Sequence, residues 1–243
     1  MKKVLFSLAC VCCAMSLSAE GYNRIGISYN NTHYGFNDAY GKNHSDNNFG
    51  LNGVGIDYIH GFSVSENIPL YIETGLNLDF NFGTKNWDKD YDSDGDWIQD
   101  KNKYSNINMQ VPVNVAWKFA VGDDFSIAPY LGINFKVHFV GKTKDQIDAS
   151  YDPDGVKEWN DKQDWISVFD DGDDAMGGKD YTWNRFQMGW QIGVGFQYKP
   201  LYLGVQWGTD FIPAYSHKFT YDNESETFKI NSSNLKVTLG YVF

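Results

Sequence analysis

Two stretches of the chain alternate between apolar and polar residues with a period of two. Residues 70–82 place Leu, Ile and Phe on one face, and Tyr, Glu, Asn and Asp on the other. Residues 107–119 carry apolar side chains at seven successive alternate positions, which chance would produce with a probability of roughly 0.002. Successive side chains of a strand point to opposite faces, so this alternation predicts two β-strands.

Six other segments alternate in the same way, which predicts eight strands in all. The predicted strands are Tyr22–Asn30, Leu51–Phe62, Leu70–Phe82, Ile107–Phe119, Phe125–Val140, Trp183–Tyr198, Leu201–Phe211 and Leu235–Phe243. Their connections are alternately short and long, the long ones being residues 33–49, 83–103, 141–182 and 213–229. This pattern favours an eight-stranded antiparallel up-and-down β-barrel with all four long loops at one end.

The size of the side chains decides which face of the barrel is inside. An eight-stranded barrel has room only for side chains that fill it or for one small ligand. The apolar face carries five or six large residues per strand, whereas the other face is rich in Gly, Asn, Gln and Thr. The apolar face is therefore predicted to meet lipid, which makes the fold a transmembrane β-barrel with long extracellular loops.

The N-terminus has the features of a signal peptide. Lys2 and Lys3 precede the apolar segment VLFSLACVCCAM, and a small-residue cleavage site follows at Ala19. We therefore expect residues 1–19 to be removed and residues 20–243 to form the barrel domain. All three cysteines lie in the removed segment, so no disulfide is expected. The net charge of −11 and the lack of a long basic run exclude nucleic acid as a natural partner.

Five stretches resemble the small outer-membrane barrel proteins of gram-negative bacteria. They are PLYIETGLNL, INMQVPVNVAWKF, APYLGINFKV, QIGVGFQY and the ending LKVTLGYVF. The resemblance is to the PorT-like "outer membrane protein beta-barrel domain" family and, more distantly, to the OmpX and OmpA barrels. It implies integral insertion in the outer membrane, contact with its lipids and lipopolysaccharide, and a terminal Phe243 that signals assembly to the insertion machinery.

The strand phase places charged residues of both signs inside the barrel. We predict a salt-bridged interior network, which would close the barrel, against the alternative of an ion-selective pore lining. Its members are Arg24, Asp57, Glu73, Asp79, Lys118, Lys136, Arg185, Asp210 and Lys236. Pro112 cannot donate a ladder hydrogen bond, so we expect a local bulge there.

The second long loop contains the acidic segment DKDYDSDGDWIQD. Asp90, Asp92, Asp94 and Gly95 match the start of a calcium-binding loop, but position 12 of that motif would be Lys101 instead of Glu. Two interpretations remain, a calcium site and a solvated acidic tip. The candidate calcium ligands are Asp90, Asp92, Asp94, Asp96 and Asp100, with Asp152, Asp154 and the aspartates of 170–174 as weaker candidates. No other cofactor is expected.

Three function classes follow from these features. The first is a non-enzymatic barrel whose acidic loops, with Trp159, Trp165, Phe169 and Trp183, bind an unknown extracellular ligand or mediate adhesion. The second is an accessory or structural envelope component linked to protein secretion, which the PorT-like resemblance implies. The third is a lipid-modifying enzyme, which we disfavour because His138 has no Ser at its own strand end.

Overall fold

The computed structural model describes residues 21–37, 45–169, 183–221 and 224–243. The predicted signal peptide and residues 170–174 lie outside these ranges. The described strands are β1 (Gly21–Asn37), β2 (Phe49–Ser65), β3 (Ile68–Tyr91), β4 (Trp97–Trp117), β5 (Phe119–Val121), β6 (Phe125–Ala149), β7 (Ile166–Ser167), β8 (Phe186–Tyr198), β9 (Leu201–Asp210), β10 (Tyr215–Tyr221) and β11 (Glu224–Val242). One α-helix, α1 (Pro153–Lys162), and a 3-10 turn at Ser45–Asn47 complete the described elements.

Eight of these strands form a closed antiparallel ring. The order is β1-β2-β3-β4-β6-β8-β9-β11, and β11 pairs again with β1 from Arg24 opposite Val242 to Asn37 opposite Lys229. Closure leaves no unpaired edge along the barrel wall, so the backbone amides and carbonyls there are satisfied without water. The predicted eight-stranded up-and-down barrel is confirmed.

The two faces of the wall are solvated in opposite ways. No other part of the described protein covers the outward apolar side chains; Ile27, for example, is 68% exposed. The inward polar side chains of Asn30 and Asp79 are fully buried. An apolar exterior around a polar interior is the arrangement of a barrel surrounded by lipid. Aromatic residues ring both rims of the outward face. They are Phe82, Phe139, Phe186 and Phe211 at the end with long connections, and Tyr58, Trp117, Phe119, Tyr198, Tyr241 and Phe243 at the end with short turns.

The short turns mark the periplasmic end, where two of them use left-handed backbone. Gly122 has φ 73° between β5 and β6, and Lys199 has φ 52° between β8 and β9. The opposite end is extracellular, because long loops of such barrels lie outside the cell. In the described ranges, no helix has the length and apolar character needed to cross a membrane.

Two predicted long loops, residues 83–103 and 213–229, are largely β-structure; in the second of them β10 forms a hairpin with the first part of β11. Residues 83–103 were expected to form a loop, but β3 continues to Tyr91 and β4 starts at Trp97, so they form a tall hairpin. β6 continues beside β4 until Ala149 pairs with Ile98. We call residues 83–105 and 141–169, which include α1 and β7, the extension. Cross-strand hydrogen bonding continues above the membrane here because each strand still has a partner.

The β-bulge between β4 and β6 does not lie at Pro112, where it was predicted. Pro112 pairs in register with Asn134 of β6, so the bulge expected at Pro112 is wrong. The shift lies between Ile107 and Asn108 instead, where Phe139 of β6 has no partner. A residue inserted in one strand reverses the facing of those beyond it, so even-numbered residues of β6 point outward above Phe139.

Candidate functional site: the polar interior and the extracellular extension

Arg24 and Glu73 form the charged layer nearest the periplasm. Arg24 Nη1 lies 3.4 Å from Glu73 Oε1, and its guanidinium stacks 3.8 Å from the ring centroid of Tyr202. Tyr22 and Asn114 also donate hydrogen bonds to Glu73. The Glu73 side chain thus contacts one cation and two further donors, which makes this layer a structural ion pair.

The middle layer joins one cation to two carboxylates. Lys236 Nζ lies 3.1 Å from both Asp57 Oδ1 and Asp79 Oδ1, and all three side chains are at least 94% buried. Asp79 accepts further hydrogen bonds from Asn30 and Gln110. Gly55 allows Asp79 to approach so closely, because a Cβ at Gly55 would collide with the carboxylate.

A third layer lies towards the extracellular end. Lys136 Nζ lies 2.8 Å from Asp210 Oδ2, and Ser232 donates a second hydrogen bond to the same carboxylate. The three layers contain three cations and four carboxylates, each carboxylate hydrogen-bonded to a cation. The barrel axis is therefore crossed by charge pairs at three heights.

Two residues of the predicted network lie outside these pairs. Arg185 is exposed at the extracellular rim, where it stacks 4.6 Å from the Phe169 ring centroid and contacts the carbonyl of Phe139 at 3.4 Å. Its place in the interior network was predicted from the strand phase, but β8 begins only at Phe186. Lys118 is half-buried at the periplasmic rim, 5.0 Å from the Tyr22 ring centroid, and joins none of the ion pairs found among the described residues.

A chain of side-chain amides runs up the inner face of β4 to His138. Gln110 donates to Asn108 at 3.0 Å, and Asn108 donates to Asn106 at 2.9 Å. Because the Asn106 oxygen is occupied, its NH2 group faces Nδ1 of His138 at 2.8 Å. Nε2 of His138 lies 2.9 Å from the side-chain amide of Gln187. Both ring nitrogens are thus in contact with side-chain amides.

Aromatic side chains close the extracellular mouth above His138. Tyr34 stacks on Phe49 at 4.8 Å between centroids, and Phe49 stacks on Tyr104 at 4.3 Å. Trp183 packs edge-on against Tyr34 at 5.5 Å. We call this group, with Leu51, Ala214, Tyr215 and Ile230, the mouth cluster. With the three charged layers below it, side chains cross the barrel interior at four heights.

The acidic segment forms the tip of the extension. Oδ1 of Asp92 accepts hydrogen bonds of 2.9 Å from the backbone amides of Asp94 and Asp96, around Gly95 at φ 88°. Asp96 in turn accepts from Ser150 at 2.9 Å. Asp90 lies on β3 and Asp100 on β4, so the five candidate calcium ligands are spread over two strands and a turn. Among the described residues, no three His, Cys, Asp or Glu side chains converge as metal ligands.

Asp152, one of the weaker calcium candidates, also has a structural partner. Asp152 caps α1, since its side chain accepts from the Gly155 amide at 3.1 Å. Asn160 of α1 makes two hydrogen bonds with the backbone of Ile147 and so fastens the helix to β6. On the outer face, Lys101 donates to Asp148 at 2.7 Å, and this hydrogen bond lowers the pKa of Asp148.

Exposed aromatic residues distinguish the extension from an ordinary polar loop. Tyr91 is 66% exposed and Trp165 is 44% exposed. Tyr151, Trp159 and Ile166 are also exposed there, although all five residues lie above the lipid-facing rim. Burial of such side chains against a partner would remove a large apolar area from water.

Sequence reasoning missed the amide chain and the mouth cluster. The spacing of Asn106, Asn108 and Gln110 on one face of β4 was a readable signal for the first. The second combines Tyr34, Phe49 and residues from distant strands, so no local pattern shows it.

The closed ring, the apolar exterior and the two aromatic rims define an integral outer-membrane β-barrel protein of a gram-negative bacterium. More narrowly, residues 23–212 match the family described as "Outer membrane protein beta-barrel domain", and the chain belongs to that family. A PorT-like subgroup is not distinguished by this match. A comparison with curated protein sequences gives no match.

Solved barrel structures are similar at low identity. Ail, the attachment invasion locus protein of Yersinia pestis, was solved with the heparin analogue sucrose octasulfate; it is 12% identical, with 91% of this chain and 99% of that chain covered and a TM-score of 0.32. OprG from Pseudomonas aeruginosa is 9% identical, with 93% and 97% covered and a TM-score of 0.40. Neisserial surface protein A is 11% identical, with 89% and 96% covered and a TM-score of 0.31. None of these similarities carries a ligand over to this chain.

Proposed function

We propose that the protein is a non-enzymatic surface-binding barrel, in which the barrel is the anchor and the extension binds a protein partner outside the cell. The observation that carries the proposal is the set of exposed aromatic side chains on a hydrogen-bonded extension above the membrane. Exposed Trp and Tyr side chains on a rigid support are the residues that most often contribute strongly to protein interfaces.

The filled interior supports an anchoring role for the barrel. Three layers of ion pairs and the mouth cluster occupy the space that a channel would need. The carboxylates of the extension outnumber its lysines, so a partner with a basic surface around an apolar patch is the best complement.

The arrangement around His138 supports a non-enzymatic role. A general base must have a free nitrogen within reach of the proton that it removes. In His138 Nδ1 contacts the Asn106 amide and Nε2 contacts the Gln187 amide, and the residue is 4% exposed, so neither nitrogen is free. We therefore assign His138 a structural function, as the upper end of the amide chain.

Trp159→Ala combined with Trp165→Ala tests the proposal on whole cells. We expect the double variant to lose about 2 kcal/mol or more of binding free energy for the partner surface, because buried Trp side chains dominate interfaces. Adhesion to candidate protein-coated surfaces, normalised to the amount of protein at the cell surface, is the measurement. Lys157→Ala with Asp161→Ala is the matched control, since it changes two polar residues of α1 without changing net charge.

Equal adhesion of wild type, variant and control would contradict the binding role. A deletion strain that adheres normally but fails to secrete proteins would instead favour the accessory secretion role. Both assays use intact cells, so a folding failure would be visible as loss of surface protein.

A further inference from the structure

Four lysines are grouped on the outward face of the extension, just above the lipid-facing rim. Lys101 and Lys103 lie on β4, and Lys142 and Lys144 lie on β6. Their facing follows from the register: Asn106 pairs with Gly141 on the inner side, so the residues that alternate with them point outward. This basic group is unexpected in a chain with a net charge of −11 and an acidic extension.

Two of the lysines lie directly opposite each other. Lys103 pairs with Lys144 in the β4–β6 register, and Lys142 is paired with Ser105 on the same face. On the other side of β4, the partner of Lys103 is Thr84 of β3. Like charges directly opposite each other in an antiparallel pair are destabilising, so a bound anion between these two lysines would be stabilising.

Among the described residues, the carboxylate that pairs with this lysine group is Asp148. Asp148 lies 2.7 Å from Lys101 and neutralises it. In the described ranges, Lys103, Lys142 and Lys144 form no ion pair with any carboxylate. Lys103 and Lys142 are exposed and Lys144 is half-buried, so these three lysines face outward without an ion-pair partner in the part of the chain that the structure describes.

The height of the lysine group above the lipid-facing rim shows which part of the membrane surrounds it. Phe82, which is 55% exposed to lipid, pairs with Ser105, only two residues below Lys103. Two residues of a strand rise about 7 Å, whereas the polar region of one leaflet is about 5–8 Å deep. The ammonium groups therefore lie at the level of the lipid headgroups, and basic clusters at this depth attract anionic headgroups.

We infer that Lys103, Lys142 and Lys144 form a binding site for the phosphate groups of the outer-leaflet glycolipid, lipopolysaccharide. The site lies on the lipid-facing side of the extension. It does not depend on the exposed aromatic residues through which we propose that the protein binds its partner. Phosphate held by ammonium groups on both strands would remove the repulsion between Lys103 and Lys144, so bound glycolipid would also stabilise the extension.

Lipopolysaccharide binding to the purified full-length protein in a nonionic detergent tests the inference. We expect Lys103→Gln with Lys144→Gln to bind at least tenfold more weakly than wild type, and dephosphorylated lipopolysaccharide to bind wild type equally weakly. Lys157→Gln with Lys162→Gln on α1 removes the same two charges and should bind as wild type. Equal affinity of the two double variants for lipopolysaccharide would overturn the inference. Equal affinity of wild type for intact and dephosphorylated lipopolysaccharide would also overturn it.

Inorganic phosphate distinguishes a lipid site from a general anion site. We expect it to compete only weakly, because it lacks the acyl chains that hold the headgroup next to the barrel wall. If inorganic phosphate saturates the site as readily as the glycolipid, the lipid assignment is wrong.

Lys144→Glu separates binding from folding. It places a carboxylate opposite Lys103, so the Tm in lipid-free detergent should equal or exceed that of wild type. Lipopolysaccharide should raise the Tm of wild type but not that of this variant. If lipopolysaccharide raises the Tm of both proteins equally, these lysines do not bind it.

Discussion

Lys236 shares its ammonium between Asp57 and Asp79, at 3.1 Å from each. All three side chains are at least 94% buried, so each depends on the others for its solvation. The consequence is that the three residues are not equivalent. Loss of the lysine leaves two buried carboxylates facing each other, whereas loss of one carboxylate leaves a matched pair.

We expect Lys236→Met to lower the free energy of unfolding by about 3–5 kcal/mol, because breaking a buried pair leaves uncompensated charge. Asp57→Asn should cost clearly less, since Lys236 and Asp79 remain paired. Equilibrium unfolding in urea from lipid vesicles gives both values. Similar losses in the two variants would contradict this account of the middle layer.

At the tip of the extension, variants of Asp92 and Asp94 distinguish a structural role in the turn from calcium binding. Asp92→Ala removes two hydrogen bonds to backbone amides and should cost about 0.5–1.5 kcal/mol per bond locally, seen as faster hydrogen exchange near 91–97. Asp94→Ala removes a carboxylate that makes no hydrogen bond among the described residues, so exchange should be unchanged.

Calcium titration calorimetry on the same two variants completes the test. A solvated acidic tip gives no saturable calcium heat in wild type. Saturable heat in wild type that disappears in Asp94→Ala would show that this carboxylate is a calcium ligand. That result would contradict the solvated acidic tip.

At the scale of the strand, the environment of an exposed apolar residue depends on its height. Ile133 in the middle of β6 is 45% exposed and Ile166 in β7 is 46% exposed. The two isoleucines are alike in residue type and exposure, but Ile133 lies within the lipid-facing belt and Ile166 above it.

Ile133→Lys should therefore destabilise the barrel by about 2–4 kcal/mol, the cost of a lysine near the middle of the bilayer. Ile166→Lys should change stability by less than about 0.5 kcal/mol, because Ile166 pairs with Thr143 above the hydrocarbon core of the bilayer. Unfolding from vesicles and the yield of inserted protein are the measurements. Equal tolerance at both positions would be incompatible with a lipid-facing β6.

In the whole molecule, the three charged layers and the mouth cluster lie one above another along the barrel axis, and each blocks the path of water. Each layer is held by side chains from several strands, as Lys136 of β6 with Asp210 of β9 shows. A continuous water path would have to open all of them together.

We therefore expect no steady conductance steps from the pure protein in planar bilayers. The reason is that ion passage would require separation of buried pairs at three heights, each unfavourable. A porin measured in the same chamber is the positive control. Reproducible steps of uniform size from this protein would show that the interior is open.

The sequence by itself determined the strand count, the lipid-facing side and the residues of the paired layers. Alternation with a period of two assigns every residue of a strand to one face, and an eight-stranded interior excludes the larger side chains. Arg24, Glu73 and Lys236 were predictable for this reason, whereas Arg185 was misplaced because the alternation continues past the point where β8 begins.

Only the tertiary structure decided which residues meet. The hairpin of 83–103, the pairing of Lys103 with Lys144 and the stacking of Phe49 on Tyr104 depend on register between strands and on the bulge at Phe139. Register is set by hydrogen bonds between distant parts of the chain, and a shift of one residue turns a side chain to the opposite face. A pattern read along one strand contains no information about that shift.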